Sequence, residues 1–276
     1  MAEIVGAFGV PHMPTAPLAA RTDPSCETAQ LYGAVREQVD AVDPDLLVVF
    51  DTDHFATWWY QKLTVFAIGI APETSGPAGD DWPGIPIFPR IPVAEDLGRH
   101  LYVAALDNGF DLTLTQEFTV DHSITVPLQF LNPAMERPMV PFWINGIAPP
   151  LPLARRVFAA GQMVGEAIRS LPGQAHVGII ASGAISGDIG GPHARPGAPG
   201  GPPDEEWVRF AVGCMKEGRV NELLNAATRE RLQQAGNVTG EVLNWIALLG
   251  AVGDRTPRVI EPQMGGGNAY AAWRWD

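Results

Sequence analysis

The chain has 276 residues, 46% hydrophobic and 18% charged with 26 prolines spread along it, a composition that excludes a disordered chain and can bury the core of one large α/β domain, taken as residues 1–276. A formal charge of −13 argues against a nucleic-acid or anionic-membrane partner, since both need a basic face to neutralise phosphate. Cys26 and Cys214 stand far apart without metal-ligand spacing, the first ten residues lack a basic leader, and no apolar run approaches the roughly 20 residues that span a bilayer, so a cytoplasmic protein without disulfides or membrane anchor is expected.

In chain order, residues 4–10 read as a short apolar strand stopped by Pro11-His12-Met13-Pro14, which places His12 just past a strand end. Residues 26–42 carry Leu31, Val35, Val39 and Val42 at helical spacing. The apolar run 46–50 reads as a strand buried on both faces, and Asp51-Thr52-Asp53-His54 follows it directly. Residues 63–70 suggest another strand, and the Pro- and Gly-rich stretch 72–92 a long loop. A helix is predicted over 94–108, ending at Gly109, after which 112–120 leads into Asp121-His122-Ser123. Then come a strand at 139–147, a helix at 153–170, a buried strand at 177–181, a Gly/Pro-rich loop at 183–203, and helices at 204–217 and 240–252. Helices alternating with short apolar strands predict an α/β fold, with a mixed, mainly parallel central sheet and helices on both faces.

In such sheets ligands bind outside the carboxyl ends of the strands, where His12, His54, His122 and the Gly183 loop are all expected. Two imidazoles and a carboxylate on one face of an octahedron suit iron(II), because open positions remain for substrate and O₂. His12 and His54 offer the imidazoles. Glu241 is a candidate carboxylate because it opens the helix at Val242-Leu243-Asn244-Trp245, although acidic residues in a first turn also serve stability alone. Asp51 and Asp53 could fix the tautomer of His54, or could be solvated turn residues. His122, beside Asp121 and Ser123, is a candidate acid/base group or a buried, hydrogen-bonded histidine. His100 and His176 read as surface or packing residues. The Trp58-Trp59-Tyr60 cluster could wall an aromatic pocket or belong to the core. No Walker loop, Gly-x-Gly-x-x-Gly turn, Gly-x-Ser-x-Gly elbow or His-Glu-x-x-His helix is present.

Five segments in this order carry a resemblance: Pro11-His12-Met13-Pro14, Asp51-Thr52-Asp53-His54-Phe55, Asp121-His122-Ser123, Ala181-Ser182-Gly183-Ala184-Ile185-Ser186 and Gly240-Glu241-Val242-Leu243-Asn244-Trp245. Over nearly the whole chain they resemble the class III extradiol dioxygenases, typified by the catalytic subunit of protocatechuate 4,5-dioxygenase. The resemblance implies that family's fold, iron(II) as cofactor on His12, His54 and Glu241, and His122 as an active-site histidine near the substrate. It implies O₂ and a catechol-like or hydroxy-heteroaromatic ring as substrates, with ring opening, and Ser182, Gly183 and Gly187 beside the substrate; His193, in the loop that follows, is a further candidate by its closeness in sequence. Where the family pattern Ser-Gly-Gly-x-Ser-His ends in a catalytic histidine, this chain has Gly187, which implies extra room for a bulkier ring or a substrate acidic enough to bind as an anion. A homo-oligomer or a complex with a small partner subunit is expected. Alternatives are a non-catalytic accessory subunit, against which the retained metal ligands argue, and a metal-dependent hydrolase on the same scaffold.

Overall fold

A computed structural model describes residues 1–58, 60–79, 82–189 and 200–275. The first half holds β1 (Glu3–Val10), α1 (Ala16–Thr22), α2 (Glu27–Val42), β2 (Leu46–Asp51), β3 (Phe66–Gly69), β4 (Glu73–Gly76), β5 (Phe88–Pro92), α3 (Glu95–Asp107) and β6 (Thr113–Thr115). The second half holds α4 (His122–Leu131), β7 (Met139–Ile144), α5 (Ala154–Ser170), β8 (His176–Ser182), β9 (Asp188–Ile189), β10 (Gly200–Gly201), α6 (Glu205–Lys216), α7 (Val220–Ala226), α8 (Arg229–Gln234), α9 (Val242–Val252), β11 (Val259–Gln263) and β12 (Asn268–Arg274). The main sheet has the order β11-β12-β1-β8-β2-β7-β3-β6. Its centre, β1, β8, β2 and β7, is parallel, as runs buried on both faces require. The antiparallel hairpin β11–β12 extends it beyond β1, and β3 joins β7 antiparallel. The expected mainly parallel α/β sheet is therefore observed.

Alternate strand residues feed two cores. Val48, Phe50, Ile179 and Ala181 point to a core closed by α3, α5, α6 and α9, whereas Leu47, Val49, Ile180 and Phe8 point to one closed by α2 and α4. Glycine brings α5 and α9 into backbone contact, since a Cβ on Gly161 would strike the carbonyl of Ala247 and one on Gly250 the carbonyl of Phe158. This close packing fixes α9, and with it Glu241 at its N-terminal end.

Several boundaries differ from expectation. The stretch read as a long loop at 72–92 contains the β4–β5 hairpin, paired through Glu73 with Pro92 and Thr74 with Ile91. The strand expected at 63–70 is only Phe66–Gly69, because pairing to β7 begins at Phe66. Helices α1, α4, α7 and α8 and the β11–β12 hairpin are additional to the sequence reading.

Candidate active site

The four parallel strands end together, and the site lies past their carboxyl ends. His12 follows β1, His54 follows β2, Gly183 follows β8, and His122 opens α4. Glu241 reaches them from a turn of 3₁₀ helix, Thr239–Glu241, that runs into α9. Buried Asn244 anchors this end of α9 by donating to the Ser182 carbonyl at 2.7 Å and to Thr52 Oγ1 at 3.1 Å. The indole of Trp245 adds a bond to the Gly183 carbonyl at 3.0 Å.

Glu241 Oε1 lies 3.3 Å from His12 Nε2 and 3.2 Å from His54 Nε2. Its other oxygen accepts from the backbone N–H of Ala184 at 2.8 Å, which fixes the carboxylate's rotation. Gly183 makes this approach possible: it holds φ at +154°, and a Cβ there would lie 2.7 Å from Glu241 Cβ. Tyr32 on α2 steadies the His12 loop by donating to the Pro11 carbonyl, its ring stacked on Phe130 of α4 at 3.8 Å.

Donor counting assigns the imidazole tautomers. Ser182 Oγ donates to the Ser123 carbonyl at 2.5 Å, so its one proton is committed. It therefore accepts from His12 Nδ1–H across 2.9 Å, which leaves a lone pair on Nε2. Asp121 Oδ2 accepts from the His54 backbone N–H at 2.7 Å and faces Nδ1 at 3.2 Å, which in the neutral imidazole places the lone pair on Nε2. Three electron-pair donors thus converge, and only a cation between them relieves their repulsion. Spacings near 3 Å, the edge of an octahedron with ion–ligand distances of about 2.1 Å, fit a first-row divalent metal.

The electrostatics agree. Burial would lower the His54 pKa, but hydrogen bonds and charge from Asp121 and Glu241 outweigh it and push it well above 6.5. Burial would raise Glu241, but the His12 charge and hydrogen bond, reinforced by His54, hold it well below the usual carboxylate range. His12 is pushed down, chiefly by burial, with Glu241 opposing. The pocket therefore favours a cation, held as a proton at His54 when no metal is present.

The His122 ring lies 4.6 Å from that of His54 and 5.6 Å from that of His12, and the three imidazoles together form a second possible metal-binding set. Ser182, expected beside the substrate, is fully buried behind His12. Gly187 donates to Thr239 Oγ1, and a Cβ there would lie 2.7 Å from Val238 Cγ2. The room expected from the missing imidazole is thus taken up, in that direction, by Val238. His193 and Trp59 lie outside the described residues. Trp58 packs edge-on to Trp143 at 5.9 Å in a cleft that Asp53, Phe55, Leu63 and Ile147 also line, and none of His12, His54, His122 and Glu241 lines it. Neither Asp51 nor Asp53 is the partner of His54: Asp53 is engaged by the N–H groups of Thr57 and Trp58, and Asp121 takes the imidazole instead. Asp121 is the residue sequence reasoning placed in the right motif without its role; the signal was an Asp-x-Ser start to α4, which it caps through Ser123 N–H at 2.9 Å.

A mainly parallel α/β sheet with a histidine cluster able to hold a metal at its carboxyl edge defines the class of this protein. Residues 6–267 match the family described as the catalytic LigB subunit of aromatic ring-opening dioxygenase, and the chain belongs to that family. It is similar to 2,3-dihydroxyphenylpropionate/2,3-dihydroxicinnamic acid 1,2-dioxygenases: 29% identical over 86% of both chains for the Azotobacter vinelandii protein, and 27% over 82% of both for that of Klebsiella pneumoniae. In fold it is similar to an uncharacterized protein, JW3007, from Escherichia coli K12, with a TM-score of 0.58, 15% identity, and coverage of 97% of this chain and 98% of that one. The family resemblance read from the motifs agrees with these matches. No helix among the described residues is long and apolar enough to cross a membrane.

Proposed function

We propose that this ring-opening dioxygenase uses iron(II), held by His12, His54 and Glu241, to cleave a catechol-like or hydroxy-heteroaromatic ring beside the diol. The observation that carries the reading is the approach of Glu241 Oε1 to the Nε2 atoms of both imidazoles, at 3.2 and 3.3 Å. Glu241 is preferred to His122 as third ligand because it is closer and brings the negative charge a divalent ion needs. Bound there, iron(II) supplies open positions at which a chelating diol and O₂ exchange electrons. The protein's own groups do the rest. Ser182 and Asp121 aim both Nε2 atoms inward, where a bound ion would take the place of the proton His54 otherwise holds. His122, 7% exposed at the start of α4, takes the proton released when a ring hydroxyl binds as its anion. A cytoplasmic setting, which keeps iron reduced, belongs to the same reading.

The test is anaerobic loading with iron(II), followed by O₂ uptake in the presence of catechols, hydroxypyridines and the dihydroxyphenylpropionate for which the relatives are named. One O₂ consumed per ring opened, with a conjugated ring-fission product, is the expected outcome. Iron binding without O₂ uptake on any diol, or product formation without O₂, would overturn it.

A further inference from the structure

Behind His54 lies a buried chain of polar groups whose outer end has no assigned role. Ser123 Oγ stands between two carboxyl groups, in hydrogen-bond contact with Asp121 Oδ1 and 2.7 Å from Asp51 Oδ2. Asp51, Asp121 and Ser123 are all at most 2% exposed. A serine hydroxyl has one proton, so it can donate to only one of the two carboxyl groups, and the other must donate to it. Two ionised carboxylates sharing a single donor out of water would also face an uncompensated like-charge repulsion.

The remaining contacts say which group holds the extra proton. Asp121 is saturated as an acceptor: Oδ1 takes Ser123 N–H and Oγ–H, and Oδ2 takes the backbone N–H and Nδ1–H of His54. Asp51 has a smaller set, Ser123 and the neighbouring backbone N–H of Thr52. Its Oδ1 is buried without a hydrogen-bond partner among the described residues, a costly position for a carboxylate oxygen and a tolerable one for the carbonyl of a neutral acid.

We infer that Asp51 is a neutral carboxylic acid that donates through Ser123 to Asp121, and so positions Asp121 to hold His54 with its Nε2 lone pair facing the metal site. The order is Asp51 O–H to Ser123 Oγ, Ser123 O–H to the Asp121 carboxylate, and His54 Nδ1–H to the other oxygen of that carboxylate. Burial first, and then the neighbouring Asp121 charge, push the Asp51 carboxyl well above its usual range, in the same sense. Asp51 touches no ligand, so it is a positioning residue. The same Ser123 carries its carbonyl to Ser182 and thence to His12, so one residue of α4 sets both imidazoles.

The inference rests on the metal-site reading for its purpose, but its infrared and nitrogen tests are made on the metal-free protein, so that its failure is distinguishable from failure of that reading. At neutral pH, infrared spectra with carbon-13-labelled aspartate should contain one protonated-carboxyl band that disappears in Asp51→Asn. At a pH above the raised His54 value, where the imidazole is neutral, nitrogen-15 shifts should report the Nδ1–H tautomer of His54 in wild type and in Asp51→Asn, whose amide still donates to Ser123, but a mixture of tautomers in Asp51→Val. In metal titrations with cobalt(II), Asp51→Asn should bind within about threefold of wild type and Asp51→Val roughly 10–100-fold more weakly. Absence of the band, its persistence in Asp51→Asn, or equal loss of metal affinity in Asn and Val variants would overturn the proposal. The last outcome would mean that charge rather than a donated proton is what Asp51 supplies. If Asp51→Val fails to fold, the infrared and nitrogen measurements on wild type and Asp51→Asn still decide.

Discussion

With His54 as a proposed ligand, a proton and a metal would compete for one lone pair on its imidazole. Its pKa lies well above 6.5 because Asp121 and Glu241 outweigh its burial, so near neutral pH the metal-free protein carries a proton that an incoming ion must displace. Metal affinity should therefore rise between about pH 6 and pH 8 and level off once the pH exceeds the raised His54 value, as cobalt(II) titrations would record. Affinity independent of pH over that range would contradict a ligand role for His54. Stability of the metal-free form runs the other way: the His54 contribution is fully present below 6.5 and is lost as pH rises through the raised value. Replacement of His12, His54 or Glu241 by Ala should each abolish tight binding, whereas His122→Phe should retain the ion and slow turnover by about 10²–10⁴-fold. Loss of metal in His122→Phe with retention in Glu241→Ala would assign the ion to the three imidazoles. His12, His54 and Glu241 were legible as candidates because each sits where an apolar segment begins or stops. The engagement of His54 by Asp121 was not, since sequence distance favoured Asp51 and Asp53, and only the packing of α4 over β2 brings residue 121 closer.

Among the elements, the parallel strands were legible because burial on both faces makes them continuous apolar runs, as in β2 and β8. Helix α4 was hidden by the same property, since eight of its ten residues, His122 to Leu131, are buried and Pro127 interrupts the run, so no polar face marks a helical period. The β11–β12 hairpin was hidden by Pro262 and Gln263, which break the strand signal of an edge that pairs only to one side. The pairing of α5 with α9 makes a prediction at this scale. Gly161→Val must push the α9 backbone away from α5, and overpacking of this kind costs about 3 kcal/mol. Because α9 carries Glu241, the variant should lose metal affinity as well as thermal stability. A destabilised protein with wild-type metal affinity would show that the 3₁₀ turn holds Glu241 independently of α9.

Across the whole molecule, the proposed ligands follow the first and second strands and precede α9, so an ion held by them would tie together segments that otherwise meet through the sheet and its cores. Metal at a thousandfold excess over its dissociation constant should add about 4 kcal/mol, a rise in melting midpoint of roughly 10 °C for a chain of this size. Scanning calorimetry with and without iron(II) or cobalt(II) measures it, and Glu241→Ala should abolish the rise. An equal rise in that variant would place the stabilising ion elsewhere.

The distance along the chain between His12 and Glu241 also sets the timing of biogenesis. On a ribosome, β1 and β2 emerge early, yet neither β8, which lies between them in the sheet, nor the turn bearing Glu241 exists until most of the polypeptide has been made. If His12, His54 and Glu241 hold the ion as proposed, two histidines on unpaired strands would bind it poorly, and a nascent chain or a product terminated before α9 would take up little metal. Maturation is thereby coupled to completion of the fold.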